Sequence, residues 1–153
     1  MKRIVVHTDV LLDHLTTATR PSALRRIMAS HFCYTTVFQA IELFAVMRSE
    51  RERKAVEDCL SAMKLLGLNP KRSARYGELF RGHPRHRAID LLVAGLCLES
   101  GLPLLTNRSR DFRGIDGLKV VRPGAIIVRW GARGGGRRKN AQLRFYSGRH
   151  MNG

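Results

Sequence analysis

Acidic residues are scarce in this chain, whose 153 residues contain 12 Asp and Glu against 28 Lys and Arg, giving a net charge of +16. A field of this sign and size attracts polyanions, largely without regard to their sequence. A basic surface can also serve solubility or an acidic protein partner. We favour nucleic acid as the partner because the excess is large for so small a chain.

Cysteine is also rare, and its pattern argues against two further classes of protein. Cys33, Cys59 and Cys97 are odd in number, far apart and form no Cys-x-x-Cys pair. We therefore expect neither a disulfide scaffold nor a structural zinc site, and we expect a reducing compartment.

Long apolar runs are missing too, so no membrane span is predicted. The N-terminus becomes polar too early for a signal peptide, which predicts a cytoplasmic protein.

Short apolar runs alternate with helical patterns along residues 1–130. Among the predicted elements are strands over residues 4–7, 32–35, 104–106 and 118–121, and an amphipathic helix over residues 50–66. This alternation is typical of one α/β domain with a mainly parallel sheet. In such a sheet, functional groups gather at the carboxyl ends of the strands.

The composition changes over residues 131–153, which contain six Gly, six Arg or Lys, and no acid. Such a segment has few residues able to bury surface, so we predict a disordered basic tail. Electrostatic binding to RNA and a dispensable extension are both compatible with this composition.

Two of the few acids stand alone inside apolar segments. Glu42 lies within residues 37–47 and Asp90 within residues 88–98, which are apolar almost all round and predict buried helices. Burying an unpaired carboxylate costs on the order of several kcal/mol even after relaxation. Each carboxylate therefore needs a partner.

Asp9 and Asp111 follow apolar strand-like runs, where the site of a parallel sheet is expected. We predict that Asp9, Glu42, Asp90 and Asp111 line one pocket and share Mg²⁺ or Mn²⁺. Oxygen ligands suit both ions, and the cation offsets the repulsion between like charges. Each acid alone can instead pair with an Arg or cap a helix, so a purely structural role stays open.

In this order, the segments resemble the PIN-domain ribonucleases and, within them, the VapC-like toxins of bacterial toxin–antitoxin pairs. The resemblance runs from Ile4 to about Val121 and is carried by residues 6–15, 35–43, 88–94, 104–107 and 110–112. It implies a PIN-like three-layer α/β/α fold and an acidic quartet that binds Mg²⁺ or Mn²⁺ and directs water onto an RNA phosphodiester. It also implies a homodimer and a VapB-like antitoxin that inserts a segment across the basic groove.

Most positions of the family's site can be matched to this chain. By the resemblance, Glu42 corresponds to the second acid, Asp90 to the third and Asp111 to the acid of the last motif. Thr8 and Thr106 correspond to threonines that hydrogen-bond the carboxylates or the attacking water.

The chain departs from the family at the first acid. The family usually has Asp-Thr-Asn or Asp-Thr-Asp after the first strand, and this chain has His7-Thr8-Asp9. The strand period of two places His7 and Asp9 on one face, so we expect Asp9 to assist the site. Neutral imidazole can bind Mn²⁺ but suits Mg²⁺ poorly, which leaves open whether His7 is a metal ligand.

These inferences predict a metal-dependent endoribonuclease of the VapC-like kind, with an activity weakened by His7. The alternative is a catalytically inactive PIN-like module that binds RNA or an antitoxin. In either case, basic side chains are expected to position the RNA backbone, namely Arg85, Arg87, Arg108 and Arg110.

Overall fold

The computed structural model describes residues 1–18 and 21–127. In these ranges the strands are β1 (Lys2–Val6), β2 (His31–Thr36), β3 (Lys64–Leu66), β4 (Leu104–Leu105) and β5 (Val120–Val121). The α-helices are α1 (Thr8–Thr16), α2 (Ala23–Met28), α3 (Val37–Ala45), α4 (Glu50–Ser61), α5 (Ser73–Gly82), α6 (Ala88–Ser100) and α7 (Pro123–Ile127). Short 3-10 helices cover Pro70–Arg72 and Ser109–Phe112. The predicted basic tail, residues 131–153, lies outside the described residues.

The five strands form one sheet in the order β3-β2-β1-β4-β5, and every neighbouring pair is parallel. This confirms the mainly parallel sheet predicted from the alternation of strands and helices. The chain leaves β1 toward β2 on one side and returns to β4 on the other. The carboxyl ends of β1 and β4 therefore border the crevice where α/β proteins place their ligands.

The central strand β1 supplies both cores of the molecule because its side chains alternate between the two faces of the sheet. Ile4 and Val6 belong to a core built with residues from α1, α2, α3 and α4. Val5 belongs to a second core, built largely with residues from α6. Helices therefore cover both faces, and the three-layer α/β/α prediction is confirmed.

The prediction of one helix over residues 50–66 was wrong in its second half. Helix α4 ends at Ser61, and Lys64–Leu66 pairs in parallel with Tyr34–Thr36 as the edge strand β3. Three residues are too few to show the alternation typical of a strand, and Leu66 also fits the amphipathic pattern of the preceding helix. The helix was therefore predicted to continue to residue 66. The pairing with β2 is a tertiary contact that overrides the local pattern.

The helix that carries Glu42 is not buried all round. Helix α3 turns Ala40 and Leu43 into the core, but Ile41 is 57% exposed and Phe44 is 40% exposed. The side chain of Glu42 is 22% exposed, so the predicted full burial was wrong for this acid. The apolar pattern could not distinguish a core-facing side from an apolar side left open to a partner.

The three cysteines are all free and buried. Burial raises the pKa of Cys33 and of Cys59 to about 11, and that of Cys97 to about 12. The reactive thiolate is therefore not populated near neutral pH, and these residues act as small apolar packing groups.

Across residues 1–18 and 21–127, none of the helices combines the length and the apolar character needed to cross a membrane.

Candidate functional site

The candidate site forms where β1 and β4 end side by side. The backbone N–H of His7 donates to the carbonyl of Leu105 at 3.0 Å, which fixes the end of β1 against the end of β4. Thr106 follows β4 and is fully buried. Both strands are parallel, so their polar end residues meet at one edge of the sheet.

His7 and Asp9 do not share a strand face, and that prediction was wrong. The strand ends at Val6, and His7 is the residue before α1, with extended backbone angles of φ −80° and ψ 158°. Asp9 lies in the first turn of α1. The helical turn nevertheless brings Asp9 Oδ1 to 3.0 Å from His7 Nδ1.

His7 is the buried centre of the site, with only 2% of its surface exposed. Its Nδ1 lies 3.0 Å from Asp9 Oδ1, its Nε2 lies 3.6 Å from Asp90 Oδ1, and its ring packs edge-on against Phe112. Burial by itself lowers the pKa of His7, but the hydrogen bonds and charges of Asp9 and Asp90 outweigh it and raise the pKa above its ordinary value. This environment favours an imidazolium between two carboxylates.

Asp9 is held by three neighbours. It accepts hydrogen bonds from His7, from the hydroxyl of Thr106 at 3.1 Å and from the backbone N–H of Asn107 at 2.7 Å. Burial raises the pKa of Asp9, but the hydrogen bonds from His7 and Asn107 outweigh this effect and lower it. Asp9 is therefore a fixed, ionised carboxylate that ties β4 to α1.

Asp90 and Glu42 are linked by Arg87. Asp90 lies in the first turn of α6 and is 2% exposed. Arg87 reaches both acids, with nitrogens 4.0 Å from Asp90 Oδ2 and 3.8 Å from Glu42 Oε1. The hydroxyl of Thr8 donates a short hydrogen bond to Glu42 Oε2. One chain of contacts thus joins Glu42, Arg87, Asp90 and His7.

Asp111 is placed differently from the other three acids. It lies in the 3-10 helix Ser109–Phe112, and its carboxylate forms an ion pair with Arg108. Within the described residues, no hydrogen bond or ion pair joins this carboxylate to His7 or Arg87, the residues that link the other three acids. Its neighbour Phe112 does reach the site, through the ring contact with His7.

The four arginines predicted to contact RNA are all exposed, namely Arg85, Arg87, Arg108 and Arg110. Two of them also neutralise site carboxylates: Arg87 contacts Glu42 and Asp90, and Arg108 contacts Asp111. Pairing with an Arg was the alternative left open for each acid, but the arginines that take part were not predicted. For Arg87 a signal was present, because a residue three positions before Asp90 lies on the same side of the first helical turn.

The donor chemistry of the site fits a divalent cation, although the present spacing does not favour tight binding. Asp90 Oδ1 is buried and accepts no hydrogen bond among the described residues, but it faces His7 Nε2 at 3.6 Å, so a metal ion bound there would have to compete with the imidazolium. Asp9 and Glu42 add further carboxylate oxygens, the ligands that Mg²⁺ and Mn²⁺ prefer. In the part of the chain that the structure describes, however, no three His, Cys, Asp or Glu side chains are grouped closely enough to hold an ion.

The chain belongs to the PIN domain family, whose family model matches residues 4–118. Its fold is similar to that of proteins from bacterial VapBC pairs. DNA-bound VapBC from Salmonella typhimurium matches with a TM-score of 0.69 and 20% identity over 80% of this chain and 99% of that chain. VapBC2 from Rickettsia felis, bound to a promoter DNA fragment, matches with a TM-score of 0.68 and 18% identity over 78% and 98% of the two chains. VapBC-1 from nontypeable Haemophilus influenzae matches with a TM-score of 0.67 and 16% identity over 80% of this chain and 98% of that chain. No curated protein matches the sequence.

Proposed function

We propose that this protein is a VapC-like toxin with a metal-dependent endoribonuclease activity that His7 weakens. The observation that carries the proposal is the contact of His7 with Asp9 and Asp90 at the carboxyl edge of a PIN-family sheet, with Glu42 joined to Asp90 through Arg87. The similarity to VapBC structures and the net charge of +16 support it.

In this proposal, Asp90, Glu42 and Asp9 hold Mg²⁺ or Mn²⁺. The bound ion would supply an activated water and neutralise charge that develops on the phosphodiester in the transition state. The other residues prepare the ligands for this task. Thr8 fixes the orientation of Glu42, while Thr106 and the backbone of Asn107 hold Asp9 in its ionised form.

The protein's own cations explain why the activity is expected to be weak. An imidazolium at His7 and the guanidinium of Arg87 already neutralise Asp9, Asp90 and Glu42. A divalent ion must compete with both, and His7 must lose its proton before it could accept a metal. Arg87 is exposed and can swing toward a phosphate, whereas His7 is buried and cannot leave.

We propose an antitoxin of the VapB kind and a second copy of the chain as partners, together with a cytoplasmic location. The exposed Ile41 and Phe44 of α3 form an apolar face suited to a homodimer contact. A separate groove of about 640 Å³ lies between α1, α2 and α4, with Leu24, Met28 and Met63 among its lining residues. Its lining also includes Arg25 and Asp58, so it offers a mixed apolar and charged surface to a partner segment. The exposed arginines around the site offer a basic surface.

A second candidate function is a catalytically inactive PIN module that binds RNA or an antitoxin. The ion pairs of His7 with Asp9 and Asp90 favour it, because these acids have a stable partner without any metal ion. In this case the site would serve stability and electrostatic binding alone.

Cleavage of a structured RNA by the purified protein separates the two candidates. We expect slow cleavage with Mn²⁺ or Mg²⁺, none with chelator, and none from the Asp90→Asn variant. The matched control is Asp58→Asn, which changes an exposed acid on α4 and should leave cleavage unchanged. Intact RNA under all metal conditions, with RNA binding retained, would establish the inactive module instead.

A further inference from the structure

His83 and His86 lie in the turn between α5 and α6, outside the candidate site formed by His7, Asp9, Glu42 and Asp90. We propose that they are positioning residues that clamp this turn onto the loop after Asp111, and that the clamp is complete only when His83 carries both of its ring protons. The clamp itself follows from contacts in the fold, while its effect on catalysis rests on the proposed nuclease function.

The clamp consists of hydrogen bonds from two histidine rings to backbone carbonyls. His83 Nδ1 lies 2.9 Å from the carbonyl oxygen of Leu79 in α5, and its Nε2 lies 3.1 Å from that of Gly114. His86 Nε2 lies 3.0 Å from the carbonyl oxygen of Arg113. The two rings contact each other edge-on, with centroids 5.3 Å apart. Two consecutive carbonyls of the loop are thus held by the turn before α6.

The partners of His83 fix its protonation state. A carbonyl oxygen can only accept a hydrogen bond, and a neutral imidazole has only one N–H to donate. His83 faces a carbonyl at each nitrogen, so both bonds form only in the imidazolium. His86 faces one carbonyl, which requires only one N–H. The two carbonyls that His83 faces therefore predict that its protonation makes the clamp sensitive to pH.

The charges around His83 act in the same direction. The hydrogen bonds to the carbonyls of Leu79 and Gly114 raise the pKa of His83. Desolvation lowers this pKa by a smaller amount than the two hydrogen bonds raise it, and the charge of Asp116 in the opposite loop raises it further. The ring of His86, from the same turn, also contacts the ring of His83. The clamp is therefore complete below the ordinary pKa of histidine, about 6.5. It loosens as pH rises through the raised pKa of His83.

The clamp holds two segments that meet at the site. On one side, His86 directly precedes Arg87, the residue that links Glu42 and Asp90. On the other side, Arg113 directly follows Phe112, whose ring packs against His7. Gly114 has a φ of 82°, a left-handed conformation that favours glycine and helps to aim this carbonyl at His83. Releasing the clamp should loosen Arg87 and Phe112 together.

Amide hydrogen exchange between pH 5.5 and 8.5, expressed as protection factors, tests the clamp without any need for activity. In the native protein, we expect protection of residues 110–118 to fall as pH rises through the His83 titration. In His83→Ala, protection should be lower by about tenfold at pH 6, the size expected for losing a charge-assisted hydrogen bond, and independent of pH. His86→Ala should lower protection but keep the pH dependence. The matched control His31→Ala, at the amino-terminal end of β2, should behave like the native protein.

Nitrogen-15 NMR of the histidine rings in the native protein gives a second readout that does not depend on a variant folding. At pH 6, both ring nitrogens of His83 should be protonated. A neutral single tautomer there, or native-like protection in His83→Ala, would overturn the proposal. In RNA cleavage, His83→Ala should lower kcat more at pH 6 than at pH 8.5. If no RNA is cleaved by any variant while the exchange result stands, the nuclease function fails and the clamp does not.

Discussion

In the proposed metal site, His7 is the residue that opposes a cation, because by the resemblance it stands where the family usually has a carboxylate and its pKa is raised by Asp9 and Asp90. An acid at this position would add a hard oxygen ligand and remove the competing charge, and both changes favour Mg²⁺. We expect His7→Asp to raise Mg²⁺ affinity and RNA cleavage by roughly one to a few powers of ten, each worth about 1.4 kcal/mol of barrier. The measurements are cleavage rates with Mg²⁺ or Mn²⁺ and the rise in melting temperature that each ion produces.

The control for this gain is Asp90→Asn in the His7→Asp background, which should abolish it because both groups would hold the same ion. A native protein that already cleaves at full rate, and that loses activity on His7→Asp, would show that His7 is a working ligand. The weakened site would then be the wrong description of this protein.

The imidazolium of His7 also makes stability depend on pH. Its folded-state pKa is raised by Asp9 and Asp90, so its stabilising effect is fully present below the unfolded pKa of about 6.5 and is lost as pH rises through the folded value. We expect the free energy of unfolding, measured by urea titration at a series of pH values, to fall over this window. His7→Gln should reduce the slope, and His31→Gln, away from the site, should not. An unchanged slope in His7→Gln would show that His7 does not titrate in this way.

The sequence was sufficient to expect Asp9 and Asp90 near the carboxyl edge of the sheet, since one follows a strand and the other stands in an apolar helix. The spacing of three residues made the pairs Arg87–Asp90 and Arg108–Asp111 possible, but the sequence could not show that they form or that Arg87 also reaches Glu42. They depend on the side-chain conformations of long arginines, which the sequence pattern leaves free.

Helix α3 exposes apolar side chains that its own fold does not cover, and this feature bears on assembly. Ile41→Glu places a charge on that face and should convert a homodimer to a monomer. Because Ile41 is 57% exposed, we expect a stability change within about 0.5 kcal/mol. Sedimentation velocity of both proteins at equal concentration measures the change.

The control for α3 is Leu68→Glu, which charges another exposed apolar residue, 44% exposed and beyond β3. It should leave the oligomeric state unchanged. A native protein that sediments as a monomer, or an Ile41→Glu variant that stays dimeric, would contradict an α3 interface.

The elements that the sequence predicted well are those whose local pattern agrees with their tertiary role. Helix α6 is apolar and buried, and Gly101, with φ of 64°, ends it as expected. Strand β3 does not meet this condition, because its three residues are too few to show the alternation of buried and exposed side chains that indicates a strand. Helix α3 failed it because exposure depends on which neighbours are present. The other edge strand, β5, lies within the strand predicted over residues 118–121, so an edge position alone does not prevent a strand from being predicted.

Over the complete chain, the excess of basic residues predicts how strongly salt weakens RNA binding. Removing one cationic side chain from a phosphate should reduce the slope of log affinity against log salt concentration by about 0.7 for a single strand. Arg85 and Arg110 are exposed and form no ion pair with another residue of the described ranges. Replacing both by Ala should reduce the slope by about 1.4 if each binds one phosphate. Fluorescence anisotropy of a labelled RNA across a salt series gives the slope directly.

The comparison needs a basic residue that lies away from the site. Arg53→Ala removes an arginine of α4 that pairs with Glu57. It should change the slope by less than replacing either Arg85 or Arg110 does. Deleting residues 131–153, which carry six of the 28 Lys and Arg, should lower both the affinity and the slope if they also reach the RNA. Equal slopes for the native protein and the Arg85/Arg110 variant would mean that neither arginine binds an RNA phosphate, and the predicted role of these two residues in positioning the RNA backbone would be wrong.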